Sequence, residues 1–114
     1  MEYTQEQVNL IVEEAETEAY WAASRYLQEK LGGQDQYACG FAWVSIPGIR
    51  ANSKLGKMLA NAGVRKNDYE KCFQIWNPSG LPVQNIDCKE EGARAAAEVF
   101  KRYGITAYAG SRLD

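Results

Sequence analysis

Histidine is absent from this 114-residue chain, which removes the commonest general base, the usual imidazole ligand of zinc and the side chain that titrates near neutral pH. Cysteine is sparse: Cys39, Cys72 and Cys88 are odd in number, widely separated and free of any C-x-x-C spacing. Neither a disulfide framework nor a thiolate metal site is indicated, and no histidine stands ready to activate a cysteine nucleophile. The three are read as reduced thiols. Ser53, Ser79 and Ser111 lack the G-x-S-x-G setting of a hydrolase nucleophile. Long apolar runs are missing too, none approaching the ~20 residues that cross a bilayer. Acids stand near the N-terminus where a secretory signal carries a basic patch and an apolar segment. The expectation is a cytoplasmic protein with no membrane partner, no cofactor, no metal and no catalytic residue.

What is present is ordinary for a folded domain. Hydrophobic residues make up 46% and charged residues 25%, enough for one core and too apolar for a disordered chain. A single domain over residues 1–114 is expected. The net charge of −2 is unevenly spread: residues 1–36 hold eight acids against two bases, and the remainder seven acids against eleven bases. Such asymmetry steers an anionic ligand to one face or attracts another copy of the chain, so a homo-oligomer is expected. It does not supply the basic footprint of a protein that coats long nucleic acid, and no sequence-specific DNA binding is expected.

Periodicity orders the chain as α-β-α-β-α-β. Thr4 with Gln7 forms a capping-box pattern, and Val8, Ile11, Val12, Ala15 and Ala19 recur at helical spacing. This predicts a helix over about 4–31, closed by Gly32-Gly33. Its other face carries Glu6, Glu13 and Glu16, either a solvated surface or a partner surface. Residues 37–110 then make the sheet-and-helix core. Alternation from Tyr37 to Ile46 gives a strand with Tyr37, Cys39, Phe41 and Trp43 on a bulky side and Ala38, Gly40, Ala42 and Val44 on a small one. The bulky side is expected to fill the core. A short helix from Ser53 to Ala62, a strand from Cys72 to Trp76, a helix capped by Asp87 and a last strand from Ile105 to Ala109 follow. The fold class is α+β, with three strands and Val83–Ile86 as a candidate fourth at the edge.

Chemistry concentrates in Arg50, Ser53, Lys54 and Lys57, at the start of the short helix. Its unpaired N–H groups and positive dipole end favour an anion, Arg50 offers a planar fork and the lysines point charges. The segment lacks the G-x-x-x-x-G-K-[ST] order of a P-loop. Arg112 from the tail would join this anion site, and Trp43 or Trp76 would stack on a base. Trp76 is expected near a surface because a turn-rich loop, Asn77 to Pro82, follows it. Solubilising charge on a short helix explains the same lysines without a ligand. Asp87, Glu90 and Glu91 are the metal-ligand candidates for a phosphodiesterase, but acids at a helix start already have a capping and dipole task.

Residues Gly40-Phe41-Ala42-Trp43-Val44, Ala51-Asn52-Ser53-Lys54, Gln74-Ile75-Trp76, Asp87-Cys88-Lys89-Glu90 and the closing Gly110-Ser111-Arg112-Leu113-Asp114 resemble small accessory proteins of tailed bacteriophages. The resemblance spans about residues 38–114. It implies a protein acting in the cytoplasm of an infected bacterium and carries no catalytic residues. By analogy of size and setting, the expected function is sequestration of a phosphorylated, candidate cyclic, nucleotide signal of host defence. An inhibitor that lays its acidic first helix on a host protein is the alternative, and a metal-dependent phosphodiesterase the third class.

Overall fold

The computed structural model describes residues 2–114. Helix α1 (Gln5–Leu31) begins as its sequence dictates: the Thr4 side chain accepts from the Gln7 backbone N–H while the Gln7 side chain accepts from Thr4 N. It ends at Gly32, whose φ of 63° is the left-handed cap that glycine adopts without strain. Then follow β1 (Gly40–Pro47), α2 (Lys54–Asn61), β2 (Arg65–Asn67), β3 (Cys72–Trp76), α3 (Ile86–Arg102) and β4 (Tyr108–Leu113). The four strands form one antiparallel sheet in the order β2-β3-β1-β4.

All the helical packing is on one side of that sheet. Helix α3 lies against β1 and β4, and α1 packs along α3. Small residues let these layers approach. Ala93, Ala96 and Ala97 of α3 face Ala42, Val44 and Ile46 of β1, with Val8, Ile11, Val12 and Ala15 of α1 completing the core. At Gly92 a Cβ would stand 3.2 Å from the Ala19 carbonyl oxygen of α1, so the two helices cross almost backbone to backbone. Phe73 and Phe100 are the largest fully buried side chains and fill what the alanines leave.

Several expectations are corrected. The bulky side of β1 does not fill the core: the helices sit on the small side, and Phe41 and Trp43 lie half-buried on the opposite face. An alanine-rich α3 needs a small-residue strand face to reach close packing, which turns the rings outward. The first strand starts at Gly40 because Tyr37, with φ of 69°, breaks the extended backbone. The segment Val83–Ile86 is no strand. It makes one isolated bridge, Asn85 to Cys39 just before β1, and Gln84 accepts from Gly40 N, before α3 begins; the fourth strand is β2. The N-cap of α3 is Asn85, whose side chain accepts from Cys88 N, and Asp87 lies in the first turn. The last strand is Tyr108–Leu113, so Arg112 is a strand residue opposite Phe41.

One glycine shows how tightly α2 is seated. A Cβ on Gly56 would stand 2.0 Å from the Arg50 carbonyl oxygen, the same oxygen that accepts from Ser53 N at 3.1 Å and Ser53 Oγ at 2.6 Å. Gly56→Ala must push that loop away and disturb the cap. We expect it to cost about 1–3 kcal/mol in a urea melt, the range for overpacking a close contact. An unchanged midpoint would mean that the loop yields freely.

Candidate functional site

The face of the sheet turned away from the helices is assembled by register. Trp43 pairs with Trp76 on β3 and with Gly110 on β4, Ser45 with Gln74 and Tyr108, and Phe41 with Arg112. Side chains alternate along each strand, so these residues share one face. On it the Trp43 and Trp76 rings stack with centroids 4.7 Å apart and planes at 26°. Phe41 meets Trp76 edge-on at 6.2 Å. The Arg112 guanidinium lies 5.3 Å from the centre of Phe41 and 5.9 Å from that of Trp76, within the range of cation–π attraction.

This aromatic platform is held rigidly. A Cβ on Gly110 would stand 2.6 Å from Trp43 Nε1, so the Trp43 indole rests directly on the bare backbone of β4. Trp76 Nε1 donates to Gln74 Oε1 at 3.0 Å. Gln74 is itself buried and fixed: its Oε1 also accepts from Asn67 Nδ2, and its Nε2 donates to Ser45 Oγ and to the Glu70 carboxylate. Both indoles are therefore set before any ligand arrives, yet Trp76 remains 46% exposed. Beside Trp76 an open depression of about 510 Å³ is lined by Arg65, Lys66, Asn67 and Gln74.

The seven residues expected to form one site fall into two groups. Trp43, Trp76 and Arg112 come together on the open face. Arg50, Ser53, Lys54 and Lys57 gather around α2, beyond the far end of β1. From Phe41, opposite Arg112, to Pro47 the strand runs six steps, about 20 Å at ~3.3 Å per residue. The start of α2 is also filled by its own chain: Ser53 Oγ accepts from Gly56 N at 3.0 Å, and the Arg50 carbonyl sits against Gly56. Arg50 lines an open depression with Lys66, Asp68 and Lys71, while Lys54 lines a separate one with Tyr3 and Met58 and approaches Glu2 at 4.0 Å. Lys57 is exposed.

Phe41, expected chiefly in the core, lies on the open face. Lys89 went unnoticed, although it stands at i−4, i−7 and i−11 from Ala93, Ala96 and Phe100 on the buried stripe of α3. A lysine in an apolar stripe was the signal. Its side chain is only 8% exposed, its Nζ donates to the Gly40 carbonyl at 2.9 Å and lies 5.5 Å from the centre of Phe41.

The remaining titratable groups look structural. Burial raises the Cys88 thiol above its usual range, with the Asp35 and Glu91 charges adding to the effect, and its Sγ donates to the Ala23 carbonyl. Such a thiol stays protonated and unreactive. The Tyr103 hydroxyl is raised chiefly by its hydrogen bond to Glu14. Glu90 bonds Ser111 and pairs with Arg94, and Glu91 also pairs with Arg94. Among the described residues, no group of three or more Cys, Asp or Glu side chains is placed to hold a metal ion. No helix there is long and apolar enough to cross a membrane.

These features define an α+β domain with one helix-covered sheet face and one uncovered aromatic and cationic face. Comparison with protein-family models, with curated proteins and with solved structures returned no match.

Proposed function

We propose that the uncovered sheet face binds a phosphorylated nucleotide and retains it without turnover, the base lying on Trp76 and the negative charge drawn to Arg112. The observation that carries this reading is the pair of stacked, pre-set indoles on an open face with a guanidinium against it. A flat ring gains about 1–3 kcal/mol per stacked base, and little side-chain entropy is left to lose when the platform is already fixed. The guanidinium favours an anionic ligand over a neutral one of the same shape. In the phage setting that the resemblance implies, retention alone withdraws a host-defence signal.

A second reading rests on α1. Leu10 and Trp21 are 64% and 59% exposed and lie with Glu6 and Glu13 on the side away from the core, a surface suited to a basic protein partner. Burial, with the neighbouring Glu13 charge, raises the Glu16 carboxyl above its ordinary value.

A thermal-shift panel of mono-, di- and cyclic nucleotides separates the two. A ligand at a hundred times its dissociation constant is expected to add about 2.7 kcal/mol of stability, and intact nucleotide should be recovered after heat release. A flat panel overturns the nucleotide reading, and interaction lost on reversing Glu13 and Glu16 to lysine then favours α1. Recovery of cleaved product would replace retention with catalysis.

A further inference from the structure

Lys89 is a buried lysine on the inner face of a helix, and among the described residues it forms no ion pair. No carboxylate among them lies within 4.0 Å of its Nζ; Glu90 and Glu91, beside it in sequence, pair with Arg94, and Asp87 is exposed. Glu90 serves Ser111 and Arg94, and Asp35 accepts the backbone N–H groups of Gln84 and Asn85. The ammonium has one hydrogen-bond acceptor, the Gly40 carbonyl, for three N–H donors. A buried charge left in this condition is costly unless it is paired.

Its position follows from the sheet. Strand β3 pairs with β1 only from Trp43 onward, and after Trp76 the chain leaves β1, Asn77 N donating to the Ala42 carbonyl as it departs. On that side the start of β1 is met instead by the segment before α3, Gly40 N donating to the Gln84 carbonyl at 3.0 Å and Cys39 bridging Asn85, which leaves a gap only at the Gly40 carbonyl. Lys89 reaches this gap from α3, takes the free Gly40 carbonyl and brings its charge to the Phe41 ring. The Arg112 guanidinium is at the same ring, so one ammonium and one guanidinium stand within 5.5 Å of a single ring centre.

We propose that Lys89 and Arg112 form the phosphate seat of the open face, and that the ligand class is a nucleotide whose phosphate lies at the Phe41 end while its base lies on Trp76. This rests on the nucleotide reading above and specifies its polarity. Lysine supplies a point charge with spare N–H donors, arginine a planar fork, and together they meet a phosphate from two directions. An anion there also supplies the counter-charge that Lys89 lacks within the fold.

The experiment compares adenosine, guanosine, cytidine and uridine with their 5′-monophosphates, followed by tryptophan fluorescence on the wild-type protein, Lys89→Gln and Arg112→Gln, with folding checked by thermal melting. In the wild type the best monophosphate is expected to bind about tenfold or more tighter than its nucleoside, the scale of one charge-assisted hydrogen-bonded contact. Lys89→Gln keeps a donor for Gly40 but no charge, and should shrink that ratio to about twofold or less while nucleoside affinity stays put. Arg112→Gln, on the exposed side, should shrink it in the same direction and decides the matter if Lys89→Gln does not fold. Equal wild-type affinity for nucleoside and monophosphate, or a ratio untouched by either substitution, overturns the phosphate seat and leaves base stacking standing. Binding of neither class by the wild type overturns both.

Discussion

Replacing Asn85 with alanine is expected to destabilise the protein by about 3 kcal/mol, because one buried side chain closes two different chain ends. Asn85 is 1% exposed. Its Oδ1 accepts from Cys88 N at 2.8 Å, capping α3, and its Nδ2 donates to the Gln36 carbonyl at 2.7 Å, tying the loop that leads into β1. Losing an N-cap costs about 0.5–2 kcal/mol, and stranding a buried carbonyl adds about 1–3 kcal/mol. Alanine loses both contacts, whereas Asn85→Ser keeps an uncharged capping oxygen for the start of α3 and loses the donor for Gln36. The order of stability should therefore be wild type, then serine, then alanine, with the alanine midpoint lowered by about 10–20 °C. A melt in which alanine and serine coincide would show that the cap contributes nothing. Because α3 presents Lys89 to the start of β1, loosening this junction should also weaken monophosphate binding more than nucleoside binding.

The junction illustrates what a sequence discloses and what it withholds. Helix α1 was legible in full, from the Thr4–Gln7 box to the Gly32 cap, since every signal is local and agrees with its neighbours. The start of α3 was not. Asp87 with Glu90 is the better capping pattern by spacing, but Asn85 wins because residues about fifty positions away, Gln36 through its carbonyl and Asp35 through its carboxylate, meet it there. The strand Tyr108–Leu113 was misplaced for a related reason. Gly110 and Ser111 look like tail residues until Trp43 is seen lying across Gly110. The largest reversal concerns the face of β1. Alternation fixes which residues share a side but says nothing about which side the helices take. That choice depends on alanines in α3 at about fifty residues' remove. Of the candidate site, the residue types were readable and their grouping was not: Arg112 belongs with the tryptophans through strand pairing, while Arg50, Lys54 and Lys57 belong to a different end of the molecule.

Two substitutions that break the aromatic platform by opposite routes are expected to give the same loss of binding. Trp76→Ala removes the most exposed ring of the stack, and about 1–3 kcal/mol of base stacking with it, which is roughly a 5- to 150-fold loss of affinity. Gly110→Ala keeps every ring but places a Cβ 2.6 Å from Trp43 Nε1, closer than the indole can tolerate. Trp43 must tilt off β4, and the parallel approach to Trp76 at 4.7 Å cannot survive the tilt. The stability cost should be modest, because a half-buried side chain yields rather than the backbone. The binding cost should approach that of Trp76→Ala. Circular dichroism gives an independent reading of the geometry, since two stacked indoles produce an exciton couplet that both variants should abolish. If Gly110→Ala loses the couplet yet binds nucleotide as the wild type does, then Trp76 suffices as a single ring and the pre-set stack is only a packing feature. If both variants retain wild-type affinity, the open face is not where the nucleotide lies.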